Sequence, residues 1–334
     1  MIKMIERCSA ILLVLFFTGN VAFATNTKAN LVVGGTPHQA LFDIDIEGDK
    51  GFAVGSGGQI FRTDDGGKNW ILESNDNSLS LLGVSFSASR AIAVGQFGVI
   101  VLRENDGTWR KVESGTSERI FNVDINNSGY AVAVGAFGLI LRSTDNGLSW
   151  ARVSPDWSNT FHDPDMRLGG FFEPNLYGVK INESGRSWIV GELALVLASN
   201  DSGLTWAVNH AGGSSDVEVS PTLSAIDVRD DGTAFAVGQE GYILKSNDLG
   251  DTWNKLSSVT HQNLLGVTSL ASGLVVAPGM REILLSFNDG ETWTSAEGLD
   301  IKTGWYGSAA ASEDGSSAIV VGNNANIIEI NYKN

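Results

Sequence analysis

A ring of seven four-stranded blades, an all-β seven-bladed β-propeller, is the fold class the sequence predicts, on three observations. A pattern of about 20 residues, clearest as AVAVGAFGLILRSTDNGLSW at residues 131–150, recurs in degraded copies along the chain. The glycine that opens its turn falls at Gly55, Gly95, Gly135, Gly191, Gly238, Gly279 and Gly322, at spacings of 40, 40, 56, 47, 41 and 43 residues. With 40 glycines, nine tryptophans and only six prolines, the chain is turn-rich and β-rich, neither disordered nor collagen-like.

Each copy reads as a fold instruction. Residues 131–134 alternate Ala and Val, which in period-two register predicts a strand; residues 135–138 predict a tight turn, and 139–142 a second strand. In the polar loop that follows, Ser143 and Asp145 can bond the loop's own backbone, Gly147 supplies a left-handed position, and Trp150 pins the loop onto the sheet. A further short strand precedes each copy, at residues 42–46, 82–86, 121–125, 177–181, 224–228, 265–269 and 306–310. A fourth begins at Trp70, Trp109, Trp150, Trp206, Trp253 and Trp293, and the seventh copy lacks this tryptophan. Four strands per period of about 40 residues is the arithmetic of a propeller blade. The repeats lie near 41–74, 81–114, 120–154, 175–210, 222–258, 263–298 and 304–334.

The second positions of the first strands, Asp43, Gly83, Asn122, Gly178, Ala225, Gly266 and Gly307, are all small, as sheets converging on an axis require. The last copy stops after its third strand at residues 326–330. Residues 30–34 are therefore expected to close the ring as the outer strand of blade seven, which removes exposed sheet edges.

Residues 1–24 have the organisation of a secretory signal. Lys3 and Arg7 precede an apolar run at 10–17, and Ala22, Phe23 and Ala24 form an A-x-A cleavage site. The apolar run is too short for a spanning helix. The expected location is the periplasm. Cleavage would remove Cys8, the only cysteine, so disulfides and cysteine-ligated metals are excluded from the mature chain. Without these residues, 20 basic side chains face 37 acidic ones. That balance argues against nucleic acid and against direct binding to anionic lipid.

The loops TDDGGKNW at 63–70, STDNGLSW at 143–150, SNDSGLTW at 199–206 and SNDLGDTW at 246–253 resemble the Asp-box of bacterial neuraminidase repeats. At 286–293 Asn288 takes the aspartate position, and the loop at 103–109 is a residue short. With the A-V-G-x-x-G-x-I-x-R-S pattern before the box and the export signal, the chain resembles the photosystem II stability/assembly factor family. That resemblance implies a non-catalytic seven-bladed propeller that binds a membrane-protein assembly intermediate. Relatives in non-photosynthetic bacteria imply a second setting, as accessories of resistance-nodulation-division exporters. The photosynthetic members are expected to present an arginine patch. Here Arg62, Arg103 and Arg142 repeat at one strand position, either as a small basic patch or as solvated strand positions.

A secreted sialidase-like glycoside hydrolase is the enzymatic alternative. The chain shows no Arg-Ile-Pro motif near its mature start, no nucleophile elbow, and no metal-like spacing among His38, His162, His210 and His261. Asp43 and Asp45 read as facing opposite sides of one strand, unable to flank one bond. The turn Gly55-Ser56-Gly57-Gly58 lies between strands, not before a helix, so it is not a phosphate cradle. No catalytic residue, cofactor or metal is expected.

The long spacings mark insertions at 154–175 and 211–220. Both fall on the face that carries the turns between second and third strands, where Phe97 and Phe137 are expected to be close to solvent. The first insertion holds Trp157, Phe161, His162, Asp163, Arg167, Phe171 and Phe172. These residues are expected either to form the partner site, with Phe97 and Phe137, or to fold back as a lid over the seam of blades three and four. The resulting expectation is an exported, monomeric binding or assembly scaffold for a membrane-protein complex.

Overall fold

The computed structural model describes residues 26–87, 90–157, 173–212, 220–312 and 315–333; the expected signal segment, 1–24, lies outside them. The described residues form seven four-stranded antiparallel sheets, each built in sequence order except the last. Blade one runs from Leu41–Glu47 at the axis through Lys50–Gly55 and Ile60–Thr63 to Ile71–Glu73 at the rim. Blade seven takes Tyr306–Ala311, Ser317–Gly322 and Ile327–Lys333 from the chain's end and its outer strand, Asn26–Val33, from the beginning. The closing strand is thus eight residues long and begins four residues before the expected segment. Ala29 is buried and Leu31 exposed although the two lie on one side of the strand, and the pairing has an irregularity between Leu31 and Val33.

The seven repeated glycines are explained by a close approach of backbone. A Cβ on Gly55 would lie 2.0 Å from the Ala40 carbonyl oxygen; on Gly95, 2.1 Å from that of Ser80; on Gly238, 2.0 Å from that of Thr222. The same carbonyls accept the amide of the following residue, as in Ser56 N to Ala40 O at 2.9 Å and Gln239 N to Thr222 O at 2.9 Å. This bond ties the turn to the chain entering the inner strand, and only a residue without a side chain leaves room for it.

Each inner strand except that of blade six carries a register shift after its first residue, so that Phe42, Leu82, Phe121, Tyr177, Ser224 and Gly307 stand out of the ladder. The small residue follows the bulge. In blade seven that residue is Ser308, which pairs with Val321 as Asp43 pairs with Val54. Gly307 occupies the bulge instead, a one-residue correction to the sequence register.

The apolar core consists of seven clusters, each spanning the seam between neighbouring blades. Trp150 packs with Ile92 and Leu102 of blade two, Trp206 with the cluster of blades three and four, and Trp70 with Ile319 and Ile327 of blade seven. The anchors therefore wedge blades together as well as pinning their own loops. At the seam without a tryptophan, Tyr332 meets Phe287 edge-on at 5.5 Å.

The eight-residue loops repeat one network, except that the Trp206 and Trp293 indoles lack the bond to the loop glycine. Ser143 Oγ donates to Asp145 Oδ1 at 2.8 Å and accepts from Gly147 N at 3.0 Å; Asp145 Oδ1 accepts from Ser149 N at 2.9 Å; Trp150 Nε1 donates to Gly147 O at 3.0 Å. Asp201 and Asp248 do the same with Thr205 and Thr252, and Asn288 keeps the backbone bond from Thr292 at 2.9 Å. Because these donors sit near solvent, Asp145→Ala is expected to lower unfolding free energy by only about 1 kcal/mol. Urea titration checks this, and the loops should leave binding unaffected.

Candidate functional site

Two features are set up by this geometry: a polar channel along the axis, and the face that carries the turns between second and third strands.

The inner strands of all seven blades line a channel of about 430 Å³. Residues two apart on a strand share a side, so Asp43 and Asp45 both line it. This corrects the sequence reading that placed them on opposite sides. Their carboxylates bridge blades: Asp43 Oδ2 accepts Val84 N at 2.9 Å and Asp45 Oδ2 accepts Phe86 N at 2.8 Å. Asn122 and Asp124 treat blade four likewise, accepting Val179 N at 3.2 Å and Ile181 N at 2.6 Å, and Asp227 accepts Ser269 N at 2.7 Å. An inner strand has no neighbour on its channel side, and these side chains accept the amides left there. Lys180 lies in the same ring, 4.0 Å from Asp227.

Burial pushes the Asp43 carboxyl up to about 7, and burial also raises Asp45 and Asp124. Asp124, outweighing burial, raises Lys180. A carboxyl whose folded pKa lies above its unfolded value contributes stability that is complete below the unfolded pKa and is lost as pH rises through the folded one. The loop aspartates act oppositely. Hydrogen bonds, foremost from the hydroxyls of Thr205 and Thr252, hold Asp201 and Asp248 at about 2, so their contribution is present above the unfolded pKa and lost as pH falls towards 2. The melting temperature is therefore expected to be highest at mildly acidic pH and to decline from about pH 5 to pH 8. Asp43→Asn should reduce that decline, since Asn122 already fills this position in blade three. A rise in melting temperature over the same interval would show that channel desolvation is not felt.

The face is built where each turn packs on the loop entering the next blade. Gly57 N of blade one donates to Ser80 Oγ at 3.4 Å, and Phe137 N of blade three to Asn175 Oδ1 at 3.2 Å. Phe97 and Phe137 hold equivalent turn positions in blades two and three, with φ of 54° and 53°. Gly57 holds the position in blade one at 64°, and Leu193, Glu240, Arg281 and Asn324 hold it in blades four to seven at 59°, 55°, 59° and 58°. For a residue with a Cβ this left-handed conformation costs about 1–2 kcal/mol. Both rings are nonetheless turned outward, 72% and 59% exposed. Nearer the axis, Phe121 meets Tyr177 at 5.0 Å and Phe42 stacks on Trp305 at 5.8 Å.

The other expected site residues are distributed differently. Trp157 is 5% exposed; its indole donates to Gly138 O at 3.2 Å and packs in the seam of blades three and four. It follows the fold-back alternative, because a buried indole with its N–H bonded inward offers little to a partner. Phe161, His162, Asp163, Arg167, Phe171 and Phe172 lie outside the described residues. Arg62 and Arg103 converge on Glu73, at 2.7 and 2.9 Å. Burial raises the Glu73 carboxyl, but hydrogen bonds from Arg103, Trp109 and Arg62 outweigh it and hold the group below the usual range. Arg142 turns elsewhere, to Ser202 O at 2.5 Å and over the Tyr130 ring. The three arginines thus serve two separate seams and do not form one row. Among the described residues, no three His, Cys, Asp or Glu side chains could together hold a metal ion.

The channel ring was missed in the sequence, although Asp45, Asp124, Lys180 and Asp227 recur at one position of the first strands. Only the small residue two places earlier was read as meaningful.

Comparison with known proteins adds a partial family match and a fold. Residues 165–266 match the family described as photosynthesis system II assembly factor YCF48. No curated protein matches the chain in sequence. Among solved structures, YCF48 from Cyanidioschyzon merolae is similar at 17% identity and a TM-score of 0.71, over 91% of this chain and 98% of that one. A YCF48 bound to a D1 peptide is similar at 17% identity and a TM-score of 0.67, over 92% and 95%. A GH74 xyloglucanase from Xanthomonas campestris reaches 15% identity and a TM-score of 0.67, over 89% of this chain but 52% of its own. The chain is a seven-bladed propeller that resembles the photosystem II assembly factor family, by sequence in residues 165–266 and by fold along the described length.

Proposed function

We propose that the protein is an exported, monomeric and non-catalytic scaffold that binds a membrane-protein complex or assembly intermediate through the face bearing Phe97 and Phe137. The observation that carries this reading is the match of residues 165–266 to the photosystem II assembly factor family. The D1 peptide held by a propeller of similar fold supports a protein segment as the ligand. The signal-like residues 1–24 support export to the periplasm or a lumen. The test is affinity capture from detergent-solubilised membranes of the host. Recovery of a membrane-protein intermediate by the purified protein is expected, and its identity separates a photosystem from an exporter. Recovery of no membrane protein would overturn the reading.

One observation favours a second reading, hydrolysis of a polysaccharide. Asp43 and Asp45 share one side of the channel, and the raised Asp43 carboxyl has the protonation range of a general acid. Both carboxylates are committed to amides of the next blade, which favours binding over catalysis. Release of reducing sugar from xyloglucan that is abolished by Asp43→Asn would support hydrolysis, and absence of turnover is the expected result.

A further inference from the structure

We infer that the face bearing Phe97 and Phe137 recognises a basic, apolar chain segment: apolar side chains seated on the two rings, flanked by lysine or arginine. The inference rests on the scaffold reading and specifies the chemistry of its partner.

The two phenylalanines carry the argument. The same left-handed turn position holds Gly57, Leu193, Glu240, Arg281 and Asn324 in the other blades, and blades two and three alone fill it with an aromatic side chain turned to solvent. Neither folding nor solubility gains from an exposed aromatic at a left-handed position, and adjacent blades repeat it. Exposed apolar surface concentrated in this way marks interaction sites. Phe121 with Tyr177 and Phe42 with Trp305 form aromatic pairs at the entries to inner strands nearer the axis.

Charge selects the occupant. The loops around the two rings carry Asp76, Glu113, Glu118, Glu173 and Glu192 against Arg119, with Glu118 held by Arg152. The whole chain carries a formal charge of −16. An acidic segment would be repelled from this face, whereas lysines or arginines beside the apolar contacts would be drawn to it.

The test uses two fluorescent peptides of about 12 residues with the same Leu and Phe positions, one carrying lysines between them and the other glutamates. Anisotropy titrations with the purified protein are expected to show the lysine peptide binding at least about tenfold more tightly, with affinity falling as salt rises from about 50 to about 300 mM. The double substitution Phe97→Gly and Phe137→Gly should weaken the lysine peptide by about tenfold or more, while its melting temperature stays level or rises through relief of the left-handed strain. Equal or tighter binding of the glutamate peptide, binding of neither peptide, or undiminished binding by the double variant would each overturn the inference. Capture of a membrane complex that survives the double substitution would overturn this site while leaving the scaffold reading standing. Loss of capture by the unsubstituted protein would remove that reading itself.

Discussion

Deleting residues 26–33 is expected to lower the unfolding free energy by on the order of 5 kcal/mol and to make the protein self-associate. Asn26–Val33 pairs with Ile327–Lys333 from Asn26 opposite Lys333 to Val33 opposite Ile327. Its loss would leave the last strand as a bare edge seven residues long. The energy comes chiefly from Ala29, which is buried, and from Val32 and Val33, which pack against the cluster joining blades seven and one. Leu31 is 54% exposed and adds little. Denaturant titration and gel filtration of the deletion against the intact protein measure both effects. An unchanged midpoint with an unchanged elution volume would mean that the ring does not depend on this strand.

Trp188→Ala is expected to cost about 3–5 kcal/mol, more than truncation of any of the half-buried loop tryptophans. Trp188 is fully buried in the second strand of blade four, and its indole donates to Leu249 O in blade five at 2.8 Å. A Cβ on Gly250 would lie 2.7 Å from the same indole nitrogen, so the two blades meet there without slack. The Arg186 guanidinium covers the ring at 5.2 Å. Truncation would therefore open a cavity at the seam of blades four and five, strand the Leu249 carbonyl and remove a cation–π contact. Equilibrium unfolding reads the change directly. A loss below about 1 kcal/mol would show that the seam relaxes around the gap, contrary to its packing.

The repeat was legible because each of its parts answers a local requirement. The glycine before each turn, the Ser or Thr that begins each eight-residue loop and the tryptophan that ends it are fixed by contacts inside one blade or with a neighbouring one, and they recur every time that contact recurs. Closure was legible from a missing strand, but its bounds were not. Residues 26–29 read as polar chain, and their strand character comes from Ile330, Asn331, Tyr332 and Lys333 opposite them. The register of blade seven was also misjudged by one residue, because a bulge moves the alternation without leaving a mark in composition. The channel ring was hidden for a different reason. Asp45, Asp124, Lys180 and Asp227 differ in charge and type, so they do not look like a repeat until seven strands meet around one axis. Asp43 and Asp45 were assigned opposite sides against the period of the strand itself. The exposure of Phe97 and Phe137 followed from turn position alone. Their left-handed backbone did not, since nothing local distinguishes a phenylalanine from the glycine at the same place in blade one.

The face assignment is tested most directly by placing a photo-crosslinking residue at position 97 or 137, and on the opposite face at Leu148 or Leu204, which are 47% and 59% exposed. Illumination in the presence of solubilised host membranes is predicted to give an adduct with a membrane protein from positions 97 and 137 and none from 148 and 204. Adducts formed only from 148 and 204 would contradict the account and move the binding surface to the face of the eight-residue loops.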